Sequence, residues 1–294
     1  MKRVLVFGGT GFLGEYLVED LLLKGFDVYA ADLQLPKYFD TKRFKNCDIL
    51  NSKQVSEIID GNYDFVYNLA GFSSLDRAIN DPYSTVKLNI MGNLNILEAV
   101  KNLGSISRFI YASSAYAVNN KGSFYGISKL SSEKLIEEYQ KRYGLKYTIL
   151  RYGSVYSERG YDNNYIYHII KEAILAGKID HPGDGEEIRE YIHAADAARL
   201  SVDILSDDFI NQNVILTGAE KMRRLDLFRM IEETLGSKVK INFSKDGYAN
   251  HYRITPYSFH PTLSRKLIAN PYIDMGQGIL ECIKEVHKNN QADQ

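Results

Sequence analysis

Tyr125-Gly126-Ile127-Ser128-Lys129 sets a phenol and an ammonium four residues apart. On a helix that spacing brings both side chains to one face, with Cβ atoms roughly 5–6 Å apart. A free tyrosine titrates near pH ~10, and an adjacent cation favours its phenolate, which makes such a pair a workable general base and acid near neutrality. A chain with 22 tyrosines produces this spacing by chance, so the pair needs company. Ser113-Ser114 supplies it by ending the preceding apolar run, because ligands of parallel sheets bind at the carboxyl ends of strands.

A second constellation addresses phosphate. Gly8-Gly9-Thr10-Gly11-Phe12-Leu13-Gly14 follows one apolar run and opens a helical pattern. Gly8 permits a tight turn, Gly11 lets backbone approach a pyrophosphate, Gly14 allows close helix–strand packing, and the helix N-terminus adds partial positive charge. Asp32 then ends the second apolar run. A carboxylate there accepts both ribose hydroxyls of NAD and repels a 2′-phosphate, and no arginine stands beside it to reverse that preference.

These residues need strands and helices in strict alternation. Predicted strands fall at residues 4–7, 27–31, 65–70, 108–113 and 147–152. Predicted helices cover 12–24, a short stretch after Ser52, 85–103 and 127–143. Alternation of this kind is the signature of βαβ units and a parallel sheet. Past about residue 155 the pattern loosens into a helix near 164–176, a turn at Pro182-Gly183-Asp184-Gly185 and shorter elements. The expected organisation is a dinucleotide-binding domain over 1–155, to which a segment near 190–217 returns, and a mainly substrate-binding lobe over 156–294. Residues 288–294 read as a disordered tail, and no internal repeat is visible.

Composition narrows the classes. Thirty-six Lys+Arg against 37 Asp+Glu leave a formal net charge of −1, which argues against a nucleic-acid partner. At 45% hydrophobic and 25% charged the chain reads as globular, and no apolar run approaches the roughly 18 residues of a membrane span. Cys47 and Cys282 match no metal or redox spacing, so the cytoplasm is the expected compartment. His181 and His193 are too far apart for a helical metal pair, and no metal is expected. Asp207-Asp208 reads as a solvated helix end. His251, Tyr252, Tyr257, Phe259 and His260 read as packing of the second lobe, with the border of a sugar pocket as the alternative, and stay outside the candidate site.

With glycine loop, Asp32, serines and Tyr-Lys pair in that order, the chain resembles the extended short-chain dehydrogenase/reductase family, in its nucleotide-sugar epimerase/dehydratase branch. Asp48-Ile49 looks like the family's adenine-contacting pair. Asn68-Leu69-Ala70-Gly71 looks like its fourth-strand motif beside the cofactor, and Asn89-Ile90-Met91-Gly92 like its central-helix motif with a structural Asn. The segment from Leu150 to Tyr156 resembles the crossing from nicotinamide to substrate and implies roles for Tyr152, Ser154 and Val155. Arg189-Glu190-Tyr191-Ile192-His193 resembles the motif whose arginine contacts the substrate's diphosphate. The resemblance implies a Rossmann-type doubly wound parallel sheet with a smaller mixed α/β substrate lobe at its C-terminal side. It also implies NAD as cofactor and a homodimer formed by the helices over 85–103 and 127–143.

Alignment with the family's serine segment puts Ser114 at the catalytic position, with Ser113 as runner-up. The usual Val-Tyr-Gly is replaced by Ala117-Val118-Asn119, and only ten residues separate Ser114 from Tyr125. Sugar 4,6-dehydratases of the family carry Asp-Glu directly after the catalytic Thr, and decarboxylating relatives a Glu two residues on. Here Ala115 and Tyr116 stand there, side chains not expected to move those protons. The resemblance therefore implies an NAD-dependent nucleotide-sugar 4-epimerase that oxidises its substrate transiently to a 4-keto sugar and returns the hydride. An NAD(P)H-dependent 4-ketosugar reductase is the alternative, and a non-catalytic dinucleotide sensor a third.

Overall fold

The computed structural model describes residues 1–292 apart from 60–61, 102, 104–105, 119–120, 220, 237–238, 245–250, 256–263 and 271. The first half runs β1 (Arg3–Phe7), α1 (Phe12–Leu23), β2 (Asp27–Asp32), β3 (Phe44–Asn46), α2 (Ser52–Ile58) and β4 (Phe65–Asn68). It continues through α3 (Leu75–Asn80), α4 (Pro82–Val86), α5 (Asn93–Lys101), β5 (Arg108–Ser114), α6 (Ser123–Tyr143) and β6 (Tyr147–Tyr152). The second half holds β7 (Ser154–Tyr156), α7 (Tyr165–Ala176), β8 (Lys178–His181), β9 (Ile188–His193), α8 (Ala194–Asp203) and β10 (Gln212–Leu216). β11 (Lys221–Arg223), α9 (Arg224–Leu235), β12 (Lys240–Phe243), β13 (Arg265–Leu267) and α10 (Met275–Ala292) complete it.

Eight strands form one sheet in the order β13-β10-β6-β5-β4-β1-β2-β3, with every pairing parallel. Both faces are covered, which is why the strands read as unbroken apolar runs. Val4 and Val6 of β1 turn into one core with α1 and α8, while Leu5 and Phe7 turn into the other with α2, α5 and α6. From β1 the chain moves outward through β2 and β3, then returns to β4 on the other side and continues through β5, β6 and β10. That reversal opens a crevice at the carboxyl ends of β1 and β4, where ligands of such sheets bind. Smaller sheets, β11-β9-β7 and β12-β8, lie in the second half, over a core built with α7, α9 and α10.

Three expectations change. The helix expected over 85–103 is two helices joined by a π-helical turn, Lys87–Gly92. That turn frees the Asn89 carbonyl to accept the Ser132 hydroxyl at 2.7 Å, and lets Gly92 approach Ile49 so closely that a Cβ would lie 2.5 Å from Ile49 Cδ1. Residues 288–292 of the expected disordered tail are instead the end of α10, whose Ile279, Cys282 and Val286 recur at helical spacing and are buried, and 293–294 lie outside the described residues. The strand expected over 65–70 stops at Asn68, leaving 69–71 as a turn on the crevice.

Candidate active site

A cavity of about 730 Å³ follows the crevice from the glycine loop to α7 and α9, a size in the upper part of the range for small-molecule sites. Among residues singled out in the sequence, Gly8, Gly11, Phe12, Leu13, Gly14, Asp32, Asp48, Ile49, Leu69, Ala70 and Gly71 line the nucleotide-facing part. Ser114, Tyr125, Lys129, Tyr152, Ser154, Val155 and Arg189 line the remainder. Thr10 and Asn89 do not line it. Thr10 donates its backbone N–H to Asp32 Oδ2 at 3.2 Å, and Asn89 fastens the backbone of Phe72 to the Ser128 hydroxyl of α6.

The glycine loop has no room for side chains. Gly8 adopts φ +75°, where a Cβ would lie 2.5 Å from Ala70 N; one on Gly14 would lie 2.0 Å from the Gly8 carbonyl oxygen. Gly11 caps α1 without any side-chain hydrogen bond, so the helix N-terminus opens bare onto the cavity. Asp32 is oriented by two backbone donors, Thr10 N–H and Leu33 N–H at 2.7 Å. Asp48 is held likewise by Leu50 N–H at 2.9 Å.

The structure separates the two candidate serines. Ser113 donates to Glu133 at 2.5 Å, and Glu133 is gripped by both ends of the Arg151 guanidinium at 3.0 and 2.7 Å in a buried network. Both serines line the cavity, but it is Ser114 that interacts with the Tyr125 hydroxyl. Tyr125 sits in the first turn of α6, which begins at Ser123 rather than 127, so Lys129 follows one turn later on the same helix. The Lys129 ammonium donates to the Ala112 carbonyl at 2.8 Å and lies 5.9 Å from the Tyr125 ring centre.

Burial governs both groups. It pushes the Tyr125 phenol up to about 12, with Ser114 pulling it back and Tyr252 adding to the rise. It pushes Lys129 down to about 8 against the pull of Glu133. Without the nicotinamide's charge, burial outweighs the effect expected of the adjacent ammonium, whose hydrogen bond goes to a backbone carbonyl.

Several wall residues were missed in the sequence. Arg224, at the start of α9, stacks on Tyr165 with its guanidinium 4.2 Å from the ring centre, and Arg189 stacks on Tyr252 at 4.2 Å. Both arginines are buried and help hold His181 below its ordinary value, burial acting first and Glu187 opposing. Tyr116, His251 and Tyr252 also line the wall, so His251 and Tyr252 are not mere lobe packing. Tyr257, Phe259, His260 and Asn119 lie outside the described residues. No local motif marks these wall residues, since their positions depend on segments far apart in the chain.

Glu158, His193 and Glu281 bring potential metal-ligand atoms within 4.8 Å of one another. His193 Nδ1, however, accepts the Ala195 backbone N–H at 3.2 Å, so the neutral ring carries its proton on Nε2, which faces Glu158 at 3.2 Å. A proton occupies the position where a metal would need a lone pair. Although burial works to raise Glu158, hydrogen bonds from His193 and Tyr16 bring it down to about 2.

Residues 4–215 match the profile of the NAD dependent epimerase/dehydratase family. The chain belongs to this family. NAD is the family's cofactor, and the glycine cradle, bare helix N-terminus and Asp32 fit it. A putative UDP-glucose 4-epimerase of Methanocaldococcus jannaschii is 25% identical over 316 residues, covering 98% of this chain and all of the relative. UDP-glucuronic acid decarboxylase 1 of Xenopus tropicalis is 24% identical over 281 residues, 87% of this chain and 65% of the relative. A UDP-glucuronic acid 4-epimerase from Bacillus cereus, crystallised with UDP-glucuronic acid and NAD, superposes with a TM-score of 0.84 at 25% identity over 98% of this chain and 99% of that one. The family thus spans epimerases and decarboxylases, and no helix among the described residues is long and apolar enough to cross a membrane.

Proposed function

We propose that the chain is an NAD-dependent nucleotide-sugar 4-epimerase. The observation that carries this reading is one cavity holding the cradle at one end, Ser114 and Tyr125 in the middle and two buried arginines at the other. Bound NAD supplies a reversible hydride acceptor and a positive charge beside the phenol. Tyr125 takes the proton of the sugar's 4-hydroxyl and later returns it, while Ser114 hydrogen-bonds the same oxygen. Lys129, anchored on Ala112, places its charge under the phenol. Arg189 and Arg224 hold the diphosphate, so the sugar can turn over without leaving the site. Residues 1–155, with β10 returning to the sheet, form the NAD side, and 156–294 mainly the substrate side.

Decarboxylation and dehydration are disfavoured by Ala115 and Tyr116, since neither places a carboxylate beside Ser114. A homodimer fits the exposed apolar side chains Tyr83, Val86, Met91, Ile127 and Leu130, which lie on α4, the π-helical turn and α6. The two buried, unpaired thiols fit a reducing cytoplasm.

The test is incubation of purified protein with UDP-, GDP-, dTDP- and CDP-sugars without added cofactor. Product stereochemistry is followed by NMR and reduced nicotinamide by absorbance. Inversion at C4 with no net cofactor change is expected; steady consumption of NADH with a 4-keto substrate would make the protein a reductase instead.

A further inference from the structure

Inversion at C4 needs one group that takes a proton and hands it back, which leaves Tyr116 and His251 with no part in that chemistry. Tyr116 lies two residues beyond Ser114 on the turn after β5, lines the cavity, and is fixed edge-on to Tyr125 at 6.1 Å and against Tyr252 at 4.6 Å between ring centres. Its hydroxyl is 2.8 Å from His251 Nδ1, and His251 Nε2 is 3.0 Å from Asp76 Oδ1. The His251 hydrogen bond is the main cause holding the Asp76 carboxyl below its ordinary value, so Asp76 is the acceptor and Nε2 carries the proton. In the neutral ring Nδ1 is then an acceptor, and Tyr116 O–H donates to it. Asp76 is 74% exposed, so the chain of three groups runs from the cavity wall to bulk water.

A carbonyl at C4 acidifies the hydrogens on C3 and C5. We propose that Tyr116, backed by His251 and Asp76, is a second proton-transfer group of this site, exchanging hydrogen on a carbon next to the oxidised C4. The ketone comes from the 4-epimerase reading, on which the proposal rests. In the step the C–H bond breaks, and its electron pair moves into an enolate on the C4 oxygen. The proton goes to the Tyr116 oxygen as Tyr116's own proton passes to His251 Nδ1, and the imidazolium formed is paired with Asp76. Return of a proton to carbon reverses each transfer and regenerates the ketone. The expectation that Tyr116 moves no proton at the sugar did not include His251, which is 135 residues away in the chain.

The test supplies the ketone directly, as UDP- or dTDP-4-keto-6-deoxyglucose in D2O, and follows H3 and H5 by NMR. Binding is read from the rise in melting temperature. Wild-type protein is expected to replace one of these hydrogens with deuterium. Tyr116→Phe should slow the exchange by about 10²-fold or more, the range for losing a general base, while still binding the probe. Asp76→Asn, at the exposed end of the chain, should slow it less. Binding without exchange above the buffer rate, or an unchanged rate in Tyr116→Phe, would overturn the proposal. Binding of neither probe would overturn this proposal together with the reading of the protein as acting on UDP- or dTDP-sugars. Exchange without C4 inversion of any nucleotide sugar would remove the 4-epimerase reading, and with it the ketone that reading supplies, while leaving Tyr116 as a proton-transfer group toward a ketone bound as substrate.

Discussion

Two glycines three residues apart in the cradle should respond to alanine in opposite ways. At Gly14 the added Cβ would lie 2.0 Å from the Gly8 carbonyl oxygen, 2.8 Å from Gly9 Cα and 2.9 Å from Gly8 C, all backbone atoms. Contact needs about 3 Å or more, so α1 and the loop must separate by about 1 Å. That loosens the packing of Leu17 and Leu21, both fully buried. Overpacking of this severity costs about 3 kcal/mol, a fall in Tm on the order of 5–10 °C. At Gly11 the backbone is extended, with φ −78° and ψ 177°, and the one atom a Cβ would meet is the Gly8 oxygen at 3.3 Å. Gly11→Ala should therefore melt within about 0.5 kcal/mol of wild type. Its methyl projects where the pyrophosphate must approach the helix N-terminus, so NAD affinity should fall about tenfold or more, which corresponds to ~1.4 kcal/mol. Thermal melts with and without NAD, and titration calorimetry, separate the two effects. If Gly11→Ala bound NAD like wild type, the pyrophosphate would not sit on this cradle; if Gly14→Ala were fully stable, the close approach of loop and helix would be wrong.

Asp32→Ala should weaken NAD binding and narrow the preference over NADP, and wild-type protein that preferred NADP in a fluorescence titration would overturn the role given to this carboxylate. Glu133→Gln leaves the Arg151 charge buried without its carboxylate and should cost about 3–5 kcal/mol; an unchanged urea midpoint would show that the network contributes nothing. Ile127→Lys places a charge in the proposed dimer face and should shift the protein from dimer to monomer in light scattering, an outcome contradicted by a wild-type protein that is already monomeric at micromolar concentration.

What was legible in the sequence follows the reach of local physics. Strands buried on both faces, such as Val4 to Phe7 and Phe109 to Tyr111, announce themselves as apolar runs, and the glycine loop with Asp32 is read from spacing alone. Continuous periodicity over 85–103 hid the π-helical turn, because the side chains keep their alternation while the backbone widens to seat Asn89 against Phe72 and Ser128. The start of α6 was missed because its first turn carries Tyr125 for the cavity, and the apolar period begins only at Ile127. The end of α10 reads as a disordered tail because its residues from His287 onward include no large apolar side chain. The family's serine segment already favoured Ser114, but the Ser113 hydrogen bond to Glu133, one helix away, has no local sign in the sequence. Arg224, His251 and Asp76 reach the cavity from three distant segments, and no local pattern brings them together.

The central claim is that Tyr125 is the proton acceptor of a redox-neutral inversion at C4. The most direct test compares wild-type and Tyr125→Phe protein on the nucleotide sugar that raises the melting temperature most, following C4 inversion by NMR and bound NAD by extraction from the same samples. The substitution should lower the inversion rate by about 10²–10⁴-fold with NAD content unchanged. Inversion by Tyr125→Phe at a rate near wild type, with NAD bound, would contradict it.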